Sequence, residues 1–168
     1  EPLIVQVKDD RPPHLFVYYI GDNSDKLYGV TEIGAEVTVT KDGVVIGKTT
    51  VSGDTEFSVT IGRQVAGTKL VVTSKDKAGN ATIIETEVVD FTPPGKPFVN
   101  TVTDKSTIVT GTAEAASVVE VYRGTTIIGS ARTSDNGTFS VNIALQKAGT
   151  VLTIKAKDNA GNVSNSAS

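Results

Sequence analysis

The sequence predicts an all-β fold made of two similar antiparallel β-sandwiches in tandem, and three observations lead to this prediction. Apolar residues alternate with Thr, Ser, Lys and Glu along short segments, and no stretch shows a helical apolar stripe. Turn residues recur at intervals of about 8–12 residues, which is typical of short strands joined by tight turns. The chain also contains a long internal repeat.

The repeat pairs residues 12–86 with residues 94–168 without a gap, and about a third of the paired residues are identical. The clearest match is KDKAGN at 75–80 against KDNAGN at 157–162. A repeat of this length fits a whole small domain better than a solenoid unit. We therefore predict domain 1 over residues 12–92 and domain 2 over residues 93–168, with a joint stiffened by Pro93 and Pro94.

The segment 1–11 precedes the first copy and leaves two interpretations open. Residues 3–8 read Leu-Ile-Val-Gln-Val-Lys, an apolar pattern typical of a strand. They form either an extra first strand of domain 1 or the tail of a preceding domain. The second copy stops at Ser168, before a counterpart of the residues EVVD at 87–90. We expect both ends to have been cut from a longer array.

Each predicted strand is bounded by turn residues. The clearest strands have the sequences EVTVT (36–40), EFSVTI (56–61), TFSVNI (138–143) and VLTIKAK (151–157). The pairs Asp42-Gly43 and Asn136-Gly137 supply the positive φ angles that tight hairpins require. About seven such strands fit into each copy, as in a β-sandwich.

Apolar residues that occupy equivalent positions in the two copies are the expected core. In the first copy these are Phe16, Ile20, Leu27, Val37, Val39, Ile46, Phe57, Val59, Ile61, Leu70 and Val72. In the second copy they are Phe98, Val102, Val109, Val119, Val121, Ile128, Phe139, Val141, Ile143, Leu152 and Ile154.

The composition excludes several classes of function. The chain has no cysteine, so disulfides, thiol catalysis and cysteine-bound zinc are excluded, and its single histidine, His14, is interpreted as an exposed residue of the linker. A net charge of −3 gives no sign of a nucleic-acid partner. No apolar run approaches the roughly 20 residues that a membrane span needs. We expect a monomer with neither a nucleic-acid nor a membrane partner.

The second copy resembles the bacterial immunoglobulin-like (Big) modules of surface proteins. The resemblance rests on Gly111–Glu114, Asp135–Ser140 and Lys157–Ser164, and the first copy departs from it at Gly29–Glu32. It implies an immunoglobulin-like fold and an extracellular setting, on the bacterial cell surface or in a secreted protein. Such modules commonly serve as stalks in adhesins, whose other parts bind a host surface protein or a glycan.

The resulting prediction is a non-catalytic spacer, because no nucleophile–base pair, metal set or phosphate loop is present. The alternative is an accessory module that binds carbohydrate or a host protein beside a secreted enzyme. The candidate binding residues for this alternative are the tyrosines, Tyr18, Tyr19, Tyr28 and Tyr122. Tyr18 and Tyr19 are adjacent in a predicted strand, so they point to opposite faces and cannot both join one binding surface.

Calcium is the one cofactor for which the sequence offers ligands. Asp76 and Asp158 open the repeated motif Asp-X-Ala-Gly-Asn, which either closes a turn or offers oxygen ligands to the ion. A second hypothesis places Asp76 together with Asp22, Asp25 and Asp90 near the junction of the two copies, with Asp9 and Asp10 as further candidates.

Overall fold

Strands and connecting turns make up the described chain, which comprises residue 4 and residues 6–168 in a computed structural model. No helix occurs among these residues, and accordingly none of sufficient length and apolar character to span a membrane is found there. The chain divides into two units, Glu1–Phe91 and Thr92–Ser168, which are called domain 1 and domain 2 below. This confirms the predicted fold class of two all-β domains.

The described residues of domain 1 form seven strands arranged in two sheets. The strands are β1 (Leu15–Val17), β2 (Lys26–Thr31), β3 (Glu36–Lys41), β4 (Val44–Thr50), β5 (Glu56–Thr60), β6 (Lys69–Lys75) and β7 (Ala81–Glu87). One sheet has the order β1-β2-β5 and the other the order β4-β3-β6-β7, and all strand pairs are antiparallel. The apolar alternation predicted from the sequence thus corresponds to strands that bury one face each.

Domain 2 repeats this arrangement with six strands. They are β8 (Phe98–Val99), β9 (Ile108–Thr112), β10 (Val118–Arg123), β11 (Thr126–Arg132), β12 (Thr138–Asn142) and β13 (Leu152–Lys157). The sheets have the orders β8-β9-β12 and β11-β10-β13. In place of a strand equivalent to β7, domain 2 has two isolated bridges, Lys157 with Val163 and Ile154 with Ala167.

The hairpin between β3 and β4 shows why the turn residues matter. Asp42 and Gly43 have φ angles of 50° and 77°, the left-handed pair that a two-residue hairpin needs. The pairing of β3 with β4 shifts register between Val39 and Thr40, and β10 shifts against β11 at the equivalent place. The two copies therefore share a local irregularity as well as their strand order.

Each domain packs its two sheets around its own apolar core. Leu27 of β2 and Leu70 of β6 belong to opposite sheets, and both are fully buried in the core of domain 1. Val109 of β9 and Val119 of β10 are buried in the same way in domain 2. Most of the expected core is confirmed, although Ile46, Val102, Ile128 and Leu152 are only partly buried.

The prediction that Phe16 and Phe98 belong to the core is wrong. Phe16 is 52% exposed and Phe98 is 66% exposed. In β1 the inward position falls on Leu15, which pairs with buried Thr31 of β2, so the next residue faces solvent. Pro97 occupies the corresponding buried position in domain 2.

Several buried residues were not included in the expected core. Leu15, Val51 and Val88 lie in the core of domain 1. Ala156 and Ala167 lie in the core of domain 2. Val88 follows β7, so its burial means that the chain continues along the inside of domain 1 after the last strand.

The open question about segment 1–11 is only partly addressed by the structure. Residues 1–3 and 5 lie outside the described residues. Residue 4 and residues 6–11 are exposed and belong to no strand. Asp9 nevertheless contacts the turn that follows β6, because its backbone carbonyl accepts a hydrogen bond from Asn80 Nδ2 at 3.3 Å.

Candidate functional site

The repeated Asp-X-Ala-Gly-Asn motif closes the turn that follows β6 in domain 1. The backbone N–H of Asp76 donates to the carbonyl of Asn80 at 3.0 Å. In return, Asn80 donates from its backbone N–H to Asp76 Oδ1 at 2.9 Å and from its side chain to Oδ2 at 2.8 Å. Gly79 takes a φ of 97°, as the turn interpretation required. Both carboxylate oxygens of Asp76 are therefore engaged by donors of the same turn.

The equivalent turn after β13 has the same geometry. Asn162 donates from its backbone and from its side chain to the two oxygens of Asp158, each at 2.8 Å. Gly161 again has a φ of 97°. The shared geometry of the two turns explains why the residues of this motif are repeated almost unchanged 82 residues apart.

The charge state of these two aspartates is set by the turn. Desolvation acts to raise the pKa of Asp76, but the hydrogen bonds from the Asn80 side chain and from the backbone N–H groups of Asn80, Gly79 and Ala78 outweigh it and lower the pKa. The pKa of Asp158 is lowered for the same reasons. Hydrogen bonds that favour the charged form are the physical cause.

The aspartates of the second calcium hypothesis are divided between two ends of domain 1. Asp76 follows Lys75, which pairs with Ala81 at one end of the β6–β7 hairpin, whereas Lys69 pairs with Glu87 at the other end. Seven residues of strand separate these ends by about 20 Å. The structure therefore does not bring Asp76 together with Asp90.

Asp22, Asp25 and Asp90 lie at the end of domain 1 that is distant from Asp76. The backbone N–H of Asp22 donates to Val89 at 3.0 Å, and Asp22 Oδ1 accepts from the N–H of Phe91 at 2.9 Å. Across residues 4 and 6–168, no group of three or more His, Asp or Glu side chains has a geometry that would hold a metal ion. Calcium binding by these aspartates stays a hypothesis from the sequence.

An exposed aromatic face lies on the outer side of β1 and β2. Phe16, Tyr18 and Tyr28 are 52%, 43% and 49% exposed. Tyr18 donates its backbone N–H to the carbonyl of Tyr28 at 3.0 Å, which places these two residues opposite each other. The Phe16 and Tyr18 rings lie 5.5 Å apart at 71°, so they meet edge to face and do not form a flat platform.

Two tyrosines of the sequence hypothesis remain: Tyr19, which is 87% exposed beside this face, and Tyr122, which lies in the other domain. Tyr122 on β10 donates its hydroxyl to Glu120 Oε2, and Lys155 Nζ lies 5.8 Å from the centre of its ring. The hydrogen bond to Glu120 raises the pKa of the Tyr122 hydroxyl, with burial and the charge of Glu120 acting in the same direction. Phe16, which the sequence placed in the core, is the aromatic member that the hypothesis missed.

A buried pair of hydroxyls in domain 1 was also missed. Thr31 donates to the carbonyl of His14, and the Thr31 and Ser74 hydroxyl oxygens lie 2.7 Å apart. Because a hydroxyl has a single proton, Ser74 is the donor to Thr31. Both side chains are buried, and the pair links β2 of one sheet to β6 of the other. The signal in the sequence was the replacement of both residues by alanine, Ala113 and Ala156, in the second copy.

Comparison with known proteins places this geometry in a family. The family model described as bacterial Ig domain matches residues 12–90 and again residues 93–168. The cell wall-associated protease of Bacillus subtilis (strain 168) is 35% identical over 132 residues, a match that covers 77% of this chain and 14% of the protease. The chain thus spans about a seventh of the length of that relative.

The solved structures that resemble this chain have low sequence identity to it. The CD2-binding domain of CD58 is 13% identical, covers 90% of this chain and 93% of its own, and superposes with a TM-score of 0.54. The BSP domain of a biofilm-associated protein is 22% identical over 92% of this chain and 28% of its own, with a TM-score of 0.42. With a family match over both repeats, the chain belongs to the bacterial Ig domain family and carries two copies of that domain.

Proposed function

We propose that the two domains serve as non-catalytic spacer modules within a larger bacterial cell-surface or secreted protein. The observation that carries this proposal is the double match to the bacterial Ig domain family, whose domains are non-catalytic modules. The relative in Bacillus subtilis supports it, because the matched segment is 14% of a much longer protein described as cell wall-associated.

The structural use of the reactive side chains agrees with this role. Asp76 and Asp158 hold their turns, and Asp22 holds the backbone of Phe91. The Thr31 and Ser74 hydroxyls are buried between two sheets. These groups stabilise the two folds, and a spacer needs stable folds more than it needs an exposed site.

An extracellular location follows from the same proposal. The name of the relative places it at the cell wall. The chain has no cysteine, so each domain depends on its apolar core and its turns for stability, where other immunoglobulin-like domains add an inter-sheet disulfide. Such a fold tolerates an oxidising exterior without thiol chemistry.

The alternative is an accessory binding module, and one observation favours it. Phe16, Tyr18 and Tyr28 expose aromatic surface on one face of domain 1. Aromatic side chains of this kind contribute to recognition of sugars and of proteins. In domain 2 the positions of Tyr18 and Tyr28 are held by Asn100 and Thr110, so the aromatic face belongs to domain 1 alone.

Binding of the purified chain to cell-wall polysaccharide, a glycan array and host surface proteins separates the two functions. The spacer proposal predicts the same background signal for the natural chain and for a Tyr18→Ala/Tyr28→Ala variant. The matched control is Asn100→Ala/Thr110→Ala, which changes the equivalent face of domain 2. Saturable binding that the tyrosine variant loses and the control keeps would overturn the spacer proposal.

A further inference from the structure

The Asn136-Gly137 pair lies in the turn between β11 and β12 and has a reactivity that the spacer function does not use. An asparagine followed by glycine loses its side-chain amide without an enzyme, because glycine has no side chain to block attack by its own backbone nitrogen. The sequence contains this pair once. Asn136 is exposed, whereas Gly137 is buried and takes a φ of 80°.

The side-chain carbonyl of Asn136 is surrounded by hydrogen-bond donors. Its Oδ1 accepts from the backbone N–H of Thr138 at 3.1 Å and from the Thr138 hydroxyl at 2.8 Å. The Ser134 hydroxyl oxygen lies 2.5 Å from the same atom. A charged carboxylate accepts such bonds more strongly than a neutral amide does. The surroundings of this side chain therefore suit aspartate, the product of amide loss, at least as well as asparagine.

Domain 1 already carries aspartate at the equivalent position. The repeat pairs Asn136 with Asp54, whose Oδ1 accepts from the backbone N–H of Thr55 at 2.6 Å. In both turns the carbonyl of the next residue accepts a backbone hydrogen bond at 2.9 Å, from Thr31 in domain 1 and from Ala113 in domain 2. The two turns are thus attached to their sheets in the same way, and one of them does so with the deamidated residue.

The folded turn restrains the nitrogen that would react. The backbone N–H of Gly137 donates to the carbonyl of Ser134 at 2.8 Å. Attack on Asn136 Cγ requires that this proton is removed and that the nitrogen turns toward the side chain. Both changes break the bond to Ser134 and move a buried residue. Reaction therefore needs a local opening of the turn, and the free energy of that opening adds to the chemical barrier.

We propose that Asn136 is a site of spontaneous deamidation that becomes reactive only when this turn opens. In the open turn the Gly137 nitrogen loses its proton to water or hydroxide and forms a bond to Asn136 Cγ. The Cγ–Nδ2 bond breaks, and ammonia leaves after taking up the released proton. Water then opens the resulting cyclic imide at one of its two carbonyl groups, which gives either aspartate or isoaspartate. This modification goes beyond the proposed spacer function, because it needs only the turn and water.

The two products have different consequences for domain 2. Aspartate keeps the backbone length and the donors around its side chain. Isoaspartate adds one carbon to the backbone and displaces Gly137, which has no room to move: a Cβ atom there would lie 2.6 Å from the carbonyl oxygen of Ala113. We therefore expect aspartate to leave domain 2 as stable as before and isoaspartate to destabilise it.

The rate of deamidation is measured by mass spectrometry of the tryptic peptide 133–147. The full chain is incubated at mildly alkaline pH, with and without a denaturing concentration of urea. We expect conversion at Asn136 to be at least about tenfold slower in the folded chain, because the turn must open first. Equal rates in the folded and unfolded chains would overturn the proposal.

Asn142 is the matched control, because it lies in the same tryptic peptide and is followed by Ile143, whose side chain hinders the same attack. We expect Asn136 to convert well before Asn142 in the unfolded chain. Conversion of the two asparagines at the same rate in urea would overturn the assignment of Asn136 as the reactive site.

Calorimetric melting separates the two products. Chains that carry isoaspartate at position 136 are isolated by chromatography and compared with the Asn136→Asp variant and the natural chain. We expect Asn136→Asp to melt at or above the temperature of the natural chain, and the isoaspartate form to melt below both. A fall in melting temperature in Asn136→Asp as large as that in the isoaspartate form would contradict the fit of aspartate to this turn.

Discussion

The hydrogen bond between the Thr31 and Ser74 hydroxyls can be tested with substitutions that domain 2 already carries. Thr31→Ala alone leaves the buried Ser74 hydroxyl without its acceptor, so we expect domain 1 to lose about 1–3 kcal/mol of unfolding free energy. Thr31→Ala/Ser74→Ala reproduces the alanine pair of domain 2, Ala113 and Ala156, and should cost less than the single change.

A double-mutant cycle in urea measures this coupling. Three of the four tyrosines lie in domain 1, so tyrosine fluorescence mainly reports on the unfolding of that domain. Additive effects of Thr31→Ala and Ser74→Ala would show that the two hydroxyls do not act as a pair.

Gly111 is a second residue whose identity the packing dictates. A Cβ atom there would lie 2.0 Å from the carbonyl oxygen of Phe98 and 2.8 Å from the Phe139 ring. We expect Gly111→Ala to destabilise domain 2 by about 1–3 kcal/mol, because the neighbouring strand must move. Gly95→Ala is the matched control, since nothing lies within 4 Å of its added methyl group. Equal thermal stability of the two variants would contradict this packing argument.

The turns after β6 and β13 act at the scale of the element, and their effect depends on pH. The pKa of Asp158 is lowered in the folded domain, so its contribution to stability is present above the ordinary value of 3.8 and is lost as the pH falls through the lower folded value. Asp158→Asn should lower the melting temperature at pH 7 and flatten the acid side of the stability profile. The exposed Asp135→Asn is the control. An unchanged acid profile in Asp158→Asn would contradict this role.

Calcium gives a second test of the same elements. Both oxygens of Asp76, and both of Asp158, already accept hydrogen bonds from their own turns. We therefore expect the same melting temperature in calcium chloride and in chelator. A clear rise with calcium that Asp22→Asn removes would instead establish the ion site that the sequence suggested near Asp90.

The sequence was sufficient to predict most elements, and the exceptions have physical reasons. Alternation over five or more residues identifies the inward face of β3 or β12, and Asp42-Gly43 identifies a hairpin. β1 is only the three apolar residues Leu15–Val17, so alternation does not distinguish its two faces. Only pairing with β2 places Leu15 inward and leaves Phe16 exposed.

The candidate sites were harder to predict because they depend on distances between elements. The turn role of Asp76 follows from local spacing, and the structure confirms it. The β6–β7 hairpin places Asp76 and Asp90 at opposite ends of domain 1, and amino-acid composition alone does not determine this arrangement. The Thr31–Ser74 pair spans two sheets, so only the packed fold brings it together.

At the scale of the whole molecule, the two copies share one strand order and differ in detail. Domain 1 carries the aromatic face of Phe16, Tyr18 and Tyr28. Domain 2 has an alanine pair in place of the buried hydroxyls. The shared architecture supports the spacer proposal. The aromatic face of domain 1 is the surface on which the alternative binding function would be sought.

The most direct test of the spacer proposal replaces the chain while keeping its size. An epitope is displayed on a Gram-positive cell with this chain between the epitope and a cell-wall anchor, and antibody access to the epitope is measured. We predict equal access when two unrelated immunoglobulin-like domains of similar length replace the chain, and reduced access when the epitope is fused directly to the anchor. Failure of the unrelated pair, or full access without any insert, would contradict the proposal.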